Sequence, residues 1–523
     1  MSTYLITDDE LNEYYLEDKF CIAVMTGEGP VIYTTSYETL RIDKIVSHVQ
    51  NMEGDYWGRV PKVKLCNESE IEDLRSTSHN GKAAQYTDDS DKSSRVSVRV
   101  SEQLQKAVDE RSSDIHIEVY KNLTKILHRI DGRRVVVSEV RDREYGMQLI
   151  GNIFNTKCQE TFEPKKVLNG SFETQLVENG VDRKTEWRAA YIPGKNSGGR
   201  CVLRWLNQSA QLLTLDQLGW TSAHVAIVRD ILQGPSGIIM LTGKTNSGKT
   251  SALAAMLSEF DDSRAIHTLE DPVEYDLKGI VQTHVRTDVK EKDVVTEGFP
   301  HYSKALLRHD LDVEMHGEIR DYETAMEVHR KGETGQLLFS TLHTSTTIGI
   351  ATTFIKQWNV PAAVVSAPEL HRLWINTALV RTLCNKCKLT EDKAREYYSS
   401  KSNEELEKFE VVVEISKSIC GDTNTVRYFN PDGCDCCCKG EKGRTSVVEM
   451  LVLDDEDRDY ILRSDFLGWK KALNDKGFLE LRDHAIYKIK KGEIDIRTAI
   501  SRVTGLLKTD TKTVYKNMLD NMN

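Results

Sequence analysis

Apolar and polar positions divide the chain into stretches of different period. In Ser113-Asp-Ile-His-Ile-Glu-Val they alternate, which predicts a half-buried strand. Leu123–Ile130 has the same character, and Asp131-Gly132 before Arg133-Arg-Val-Val-Val is a hairpin signal. Gly199-Arg-Cys-Val-Leu-Arg-Trp-Leu predicts one more strand, so residues 96–210 are expected to form a compact α+β domain. From about residue 215 the pattern changes. An apolar strand at Gly237–Leu241, a helix from about Lys249 and a strand at Gln336–Phe339 predict a parallel sheet with helices on its faces. The last stretch, 446–523, is charged and helical in pattern.

Two other regions stand apart. Residues 76–95, including Ser76-Thr-Ser-His-Asn-Gly-Lys, are almost free of large apolar side chains and are expected to be a linker. It separates residues 1–75 from the rest, and residues 381–445 read as an insertion after the parallel-sheet region at 215–380. Composition narrows the function. The formal net charge is -11, which speaks against coating nucleic acid or an anionic membrane by bulk charge. No apolar run reaches the length of about 18 residues that spanning a bilayer requires. Met1-Ser-Thr-Tyr-Leu-Ile-Thr-Asp-Asp lacks the basic and apolar regions of a secretory signal, so a reducing, cytoplasmic setting is expected.

The chemistry begins at Gly243-Lys244-Thr245-Asn246-Ser247-Gly248-Lys249-Thr250, with Ser251 following, a full G-x-x-x-x-G-K-[ST] match between an apolar strand and a helix. In that context glycines let backbone N–H groups curl around phosphate oxygens while the positive helix end faces them. Lys249 is expected to reach the β- and γ-phosphates of ATP, and the Thr250 hydroxyl to hold Mg²⁺. Acidic groups are needed beyond such a loop. Glu270-Asp271-Pro272-Val273-Glu274 and Asp312-Val-Glu-Met-His-Gly317-Glu318 supply two acidic strand ends.

Most of the eleven cysteines cluster late in the chain. Cys384-Asn-Lys-Cys387 and Cys434-Asp-Cys-Cys437 are two C-x-x-C pairs, enough thiolates to close a tetrahedral, structural Zn²⁺ site. Cys436 and Cys438 crowd the second pair.

Together these segments resemble the ATPases of type II secretion and type IV pilus systems, over about residues 96–510. Glu270-Asp-Pro-Val-Glu-Tyr275 is similar to that family's aspartate box, Leu307-Arg-His-Asp-Leu-Asp312 through Gly317-Glu-Ile-Arg-Asp321 to its Walker B segment, and Thr334-Gly-Gln-Leu-Leu-Phe-Ser-Thr-Leu-His-Thr344 to its histidine box. The resemblance implies an α/β, RecA-like P-loop ATPase domain, preceded by a PAS-like α+β domain and carrying a zinc-binding insertion. It implies that Glu270 polarises the attacking water, that Glu318 and Asp312 serve the nucleotide and Mg²⁺, and that His343 senses the γ-phosphate. Arg188 and Arg204 match positions of arginine fingers. The implied assembly is a homo-hexamer at the cytoplasmic face of a bacterial inner membrane, working with a membrane platform protein and a cytoplasmic or bitopic assembly protein. Residues 1–75 are a docking domain by the same analogy. The tetracysteine insertion favours assembly or secretion over pilus retraction. Type IV pilus assembly is the first reading and type II secretion the second, with a nucleic-acid translocase or a non-hydrolysing scaffold as rivals.

This chain departs from the family pattern in places. Gln336 stands where a second histidine is usual, Leu311 where proline is common, and one residue is missing between Cys437 and Gly443. Glu314 and His316 occupy positions of apolar strand residues, although a buried parallel strand should be nearly all apolar.

Overall fold

The computed structural model describes residues 4–6, 10–11, 14–15, 21–26, 29–35, 42–51, 61–68, 70–71, 74, 89–206, 212–285, 298–507 and 510–520. The chain separates into two compact units, residues 1–98 and 99–523. In the first, strands β1 (Tyr4–Leu5), β2 (Cys21–Thr26), β3 (Gly29–Thr34) and β4 (Lys62–Leu65) form a sheet in that order. The apolar run Cys21–Met25 is buried in it, and Ile42, Ile45 and Val49 bring the helix Ile42–Asn51 into the same core.

Most of the expected linker, residues 76–88, lies outside the described residues. Its last part belongs to a helix, Asp89–Asp109. Then come β5 (Asp114–Val119), β6 (Thr124–Ile130), β7 (Arg133–Val140), β8 (Leu168–Glu178), β9 (Val181–Pro193) and β10 (Gly199–Trp205). They make an antiparallel sheet in the order β7-β6-β5-β10-β9-β8. The Asp131-Gly132 turn has φ of 48° and 76°, the positive pair that a tight two-residue hairpin turn demands.

β5 corrects the sequence reading. Its alternation predicted one solvated face, yet all six residues are buried because the strand is central. Its polar side is covered by arginines instead of water. Asp114 accepts from Arg204 Nε at 2.9 Å, and Glu118 from Arg134 and Arg200 at 2.5 and 2.6 Å.

The third sheet contains β11 (Gly237–Thr242), β12 (Ile266–Glu270), β13 (Val281–His284), β14 (Val313–His316), β15 (Leu337–Leu342), β16 (His371–Leu383) and β17 (Glu441–Val452). Its order is β13-β12-β14-β15-β11-β16-β17, parallel throughout except for the antiparallel edge strand β17. β11 is wholly buried. The helix Lys249–Leu257 contributes Leu253, Ala255 and Leu257 to a core with Ile239 and Leu241, and Ala325 and Val328 of the helix Tyr322–Glu333 share one with Ile238 and Met240. Two helices that the sequence reading did not resolve, Glu391–Lys401 and Asn403–Cys420, fill most of the insertion. Among the described residues no helix is long and apolar enough to cross a membrane.

Beneath the sheet runs a chain of buried rings. Trp374 Nε1–H donates to His371 Nδ1 at 3.0 Å, which assigns the His371 proton to Nε2. That proton is donated to His329 Nε2 at 3.1 Å, and His329 Nδ1–H goes to Ala325 O at 2.7 Å. Each ring carries one proton and is neutral. Burial pulls His329 down to about 4 and holds His371 well below its ordinary value. Unfolded histidines titrate near 6.5, so between that pH and about 4 the unfolded chain binds more protons than the folded one. Stability is therefore expected to be level above about pH 6.5 and to fall by about 3 kcal/mol through His329 alone as pH drops toward 4. Thermal melts from pH 7.5 to 4.5 check this; midpoints that stay level would show the rings to be charged already.

Candidate active site

Parallel strands place their carboxyl ends along one edge of a sheet, and loops at that edge are where such folds bind ligands. Four of those ends meet here. β11 runs into Gly243, β12 ends at Glu270, β14 leads through Gly317 to Glu318, and β15 leads to His343. The strand order β12-β14-β15-β11 sets them side by side.

Gly243 (φ +142°) and Gly248 (φ +91°) shape the loop. A Cβ on Gly243 would lie 2.4 Å from Thr377 O, so only glycine fits there. Gly248, left-handed, precedes the first turn of the helix Lys249–Leu257 and leaves its backbone N–H groups facing the loop. Lys244, Thr245 and Asn246 form the exposed crest, whereas Ser247 is buried. Lys249 Nζ donates to Gly243 O at 3.0 Å and approaches His343 Nδ1 at 3.4 Å. Burial holds the Lys249 amine below its ordinary value, opposed by the charges of Glu318 and Glu274.

The His343 ring bridges two of these groups. With Nδ1 accepting from Lys249, its Nε2–H faces Glu318 Oε1 at 3.2 Å. The other Glu318 oxygen accepts from Arg320 Nε at 3.0 Å. Glu270 is 5% exposed, and its Oε1 accepts from Thr268 Oγ1 at 2.6 Å and Gln282 Nε2 at 2.9 Å. Gln282 also donates to Tyr275 O and accepts from Leu277 N, stitching the Asp271–Ile280 loop beneath Glu270. Gly317 N–H donates to Leu269 O at 2.8 Å, tying the two acidic strand ends together.

Sequence reasoning named Glu274, Thr250, Ser251 and Tyr275 but not how they pair, and it missed Thr268 and Gln282 as supports of Glu270. Burial raises the Glu274 carboxyl above its ordinary range while the Thr250 hydroxyl hydrogen-bonds to it. Ser251 Oγ and Tyr275 OH are 2.6 Å apart. Only the position of Thr268, two before Glu270 on the same strand face, was a usable signal. Arg204 is exposed beside Asp114, and its charge reaches Glu274. Arg188 is its cross-strand neighbour on β9. Asp312 does not join the group. It precedes β14, at the opposite sheet edge, where its Oδ2 accepts from Ala265 N at 2.8 Å and holds the start of β12.

The insertion brings Cys384, Cys387, Cys434 and Cys437 within 4.8 Å of one another. Sγ separations are 3.7 Å for Cys384–Cys434, 3.6 Å for Cys387–Cys437 and 3.5 Å for Cys434–Cys437. Four thiolates on a zinc ion at about 2.3 Å require edges of about 3.8 Å, so this donor set fits a tetrahedral metal ion. Cys436 Sγ lies 3.5 Å from Cys434 and 3.7 Å from Cys384, on one edge of that set.

The family described as "Type II/IV secretion system protein" matches residues 89–501. Similar proteins include the type II secretion system protein E of Aeromonas hydrophila, 33% identical over 80% of this chain and 77% of that protein. The type II secretion system ATPase E of Vibrio cholerae is 34% identical over 68% of this chain and 65% of that protein. The Legionella pneumophila ATPase DotB shares the fold, with a TM-score of 0.53 and 19% identity over 77% of this chain and 94% of that one. Mixed α/β architecture, a parallel sheet and these relatives define the chain as an ATPase. It belongs to the type II/IV secretion system protein family.

Proposed function

We propose that this chain is the motor of a type II secretion system, hydrolysing Mg-ATP to drive assembly of a pilus-like fibre. The observation that carries the reading is the meeting of Lys249, Glu270, Glu318 and His343 at one sheet edge, in a chain of this family. The relatives named for type II secretion support this over type IV pilus assembly, reversing the order of the sequence reading. Lys249 and the loop amides bind the β- and γ-phosphates. Thr250 and Glu318 hold the magnesium ion, which neutralises developing phosphoryl charge when bound. Glu270, oriented by Thr268 and Gln282, polarises the attacking water, and His343 links the γ-phosphate position to Glu318. Arg188 and Arg204 act as arginine fingers from the antiparallel sheet. The parallel-sheet region is RecA-like and residues 96–210 are PAS-like. The tetracysteine module binds zinc, and residues 1–75 dock to a partner. The working unit is a hexamer against a platform protein at the cytoplasmic face of the inner membrane.

Steady-state turnover against protein concentration tests the motor reading. Activity per chain is expected to rise with assembly, and titrating in Glu318→Gln is expected to depress it more than dilution would. Turnover that stays proportional to wild-type chains would show sites complete within single subunits. In a bacterium carrying the protein, Glu318→Gln is expected to retain secreted enzymes inside the cell; unchanged export would exclude the secretion role.

A further inference from the structure

β14 lies between β12 and β15 in the parallel sheet, where both faces are covered and apolar residues are the rule. Yet Glu314 and His316, on one face of it, are fully buried. So is Lys331, near the end of the helix Tyr322–Glu333. The three answer one another. Lys331 Nζ donates to both Glu314 oxygens, at 2.6 and 2.7 Å, and His316 Nε2 contacts Glu314 Oε1 at 2.6 Å. Other polar groups nearby are Ser303 Oγ, 3.4 Å from His316 Nε2, and His267 and Ser340, register partners of Glu314 and His316 on the flanking strands. Glu327 lies one helical turn before Lys331, and its charge favours the Lys331 ammonium. Burial by itself would raise the Glu314 carboxyl, but His316 and Lys331 more than offset it and hold the group below its ordinary range. The strand is not distorted by its polar residues; it pairs regularly on both sides.

A dehydrated ion pair contributes little net stability compared with apolar side chains of the same volume. Its geometric consequence is different. Glu314 and Lys331 are 17 residues apart, and between them lies the turn Gly317–Asp321 that carries Glu318. The near side of this turn is pinned by Gly317 N–H to Leu269 O and Thr341 Oγ1 to Gly317 O; Ile319 N–H adds a bond to Thr341 O. The far side begins at the Asp321 cap of the helix, whose Oδ1 accepts from Thr324 N. The ion pair fastens that helix back onto the strand. We propose that Glu314, Lys331 and His316 are positioning residues for ATP hydrolysis, a buried brace that closes the strand–turn–helix segment and fixes where the Glu318 carboxylate stands. The inference rests on the ATPase reading of the site and on Glu318 being part of it.

Glu314→Leu, Lys331→Met and the double variant test it. Each single change leaves an unpaired charge in the core and is expected to lower the thermal midpoint. The double change removes both buried charges, leaves His316 as the polar side chain of the strand with Ser303 Oγ 3.4 Å away, and is expected to bring the midpoint back well above those of both single variants. Turnover is expected to behave otherwise. kcat should fall on the order of tenfold to a hundredfold in all three, without recovery in the double variant, while KM for ATP stays within about twofold. Recovery of kcat along with the midpoint would reduce the brace to a packing element and overturn the proposal, as would a change in KM alone. If the double variant does not fold, Glu314→Gln with Lys331→Gln takes its place with the same outcomes. A wild-type protein with no turnover would overturn the ATPase reading and this inference with it. A wild type that turns over while the folded double variant matches it would overturn the inference alone.

Discussion

Replacing Lys249 with alanine is expected to abolish ATP hydrolysis, with kcat lower by about 10²–10³-fold or more. Removing one preorganised donor at a developing oxyanion typically costs that much, and this donor carries a full charge. The geometry makes the loss specific. The Lys249 amine is half-buried, its pKa is lowered by that desolvation, and it lies between the Gly243 carbonyl and the His343 ring. Alanine removes the donor and also the group against which the His343–Glu318 contact is set. The helix itself should survive, because Leu253, Ala255 and Leu257 hold it to the sheet and alanine is the best helix former. Circular dichroism and the thermal midpoint should therefore match wild type while turnover disappears. Retained hydrolysis would show that phosphate is bound elsewhere.

Disrupting the tetracysteine site proposed to hold zinc should have the second large effect. Serine at Cys384, or a strong chelator, is expected to eliminate one zinc ion per chain and to open residues 384–441 to proteolysis. Site formation in small zinc modules is worth about 10–16 kcal/mol. Here an apolar core, with Tyr398, Phe409, Val413 and Tyr428 packed against Ile489 and Ile494, carries part of the load, so the loss should be local and not global. It should still reach the hydrolytic domain. Glu441, 1% exposed at its side chain, lies three residues after Cys438 and accepts from Arg133 at 2.6 Å, Arg381 at 2.7 Å and Thr498 at 2.5 Å. Gly443 N–H binds Asp131 at the hairpin tip. Loosening the module loosens the joint between the antiparallel sheet and the parallel one, and turnover should fall with it. Metal content, limited proteolysis and turnover measured on one sample decide the matter, with Cys66→Ser as the thiol control. Full zinc occupancy in Cys384→Ser would remove that residue from the ligand set.

Much of the candidate site was legible because short-range chemistry wrote it. The loop Gly243–Thr250 demands glycine where the backbone turns left-handed and a lysine and hydroxyl at fixed offsets, so spacing alone located it. The Asp131-Gly132 turn was legible for the same reason, its two positive φ values being a local requirement. The two C-x-x-C pairs likewise state their chemistry within four residues each. Apolar period separated the parallel-sheet region from the α+β region before it.

What local pattern could not express is which neighbours a residue acquires from distant chain. Alternation in β5 predicted a wet face, but a central position and arginines from β7 and β10 buried it. Asp312 belonged to an acidic segment, but the direction of β14 put it at the far edge of the sheet from Glu318. Glu314 and His316 looked like faults in a buried strand until the helix that follows supplied Lys331. Gln282 could be recognised as a support for Glu270 only once β13 was paired with β12. The sequence by itself determined the loop Gly243–Thr250, the thiol pairs and the periods of the elements, because each depends on residues within a turn or a strand of one another. The tertiary structure alone decided strand order, strand direction and the partners of buried charge, because these depend on contacts between segments far apart in the chain.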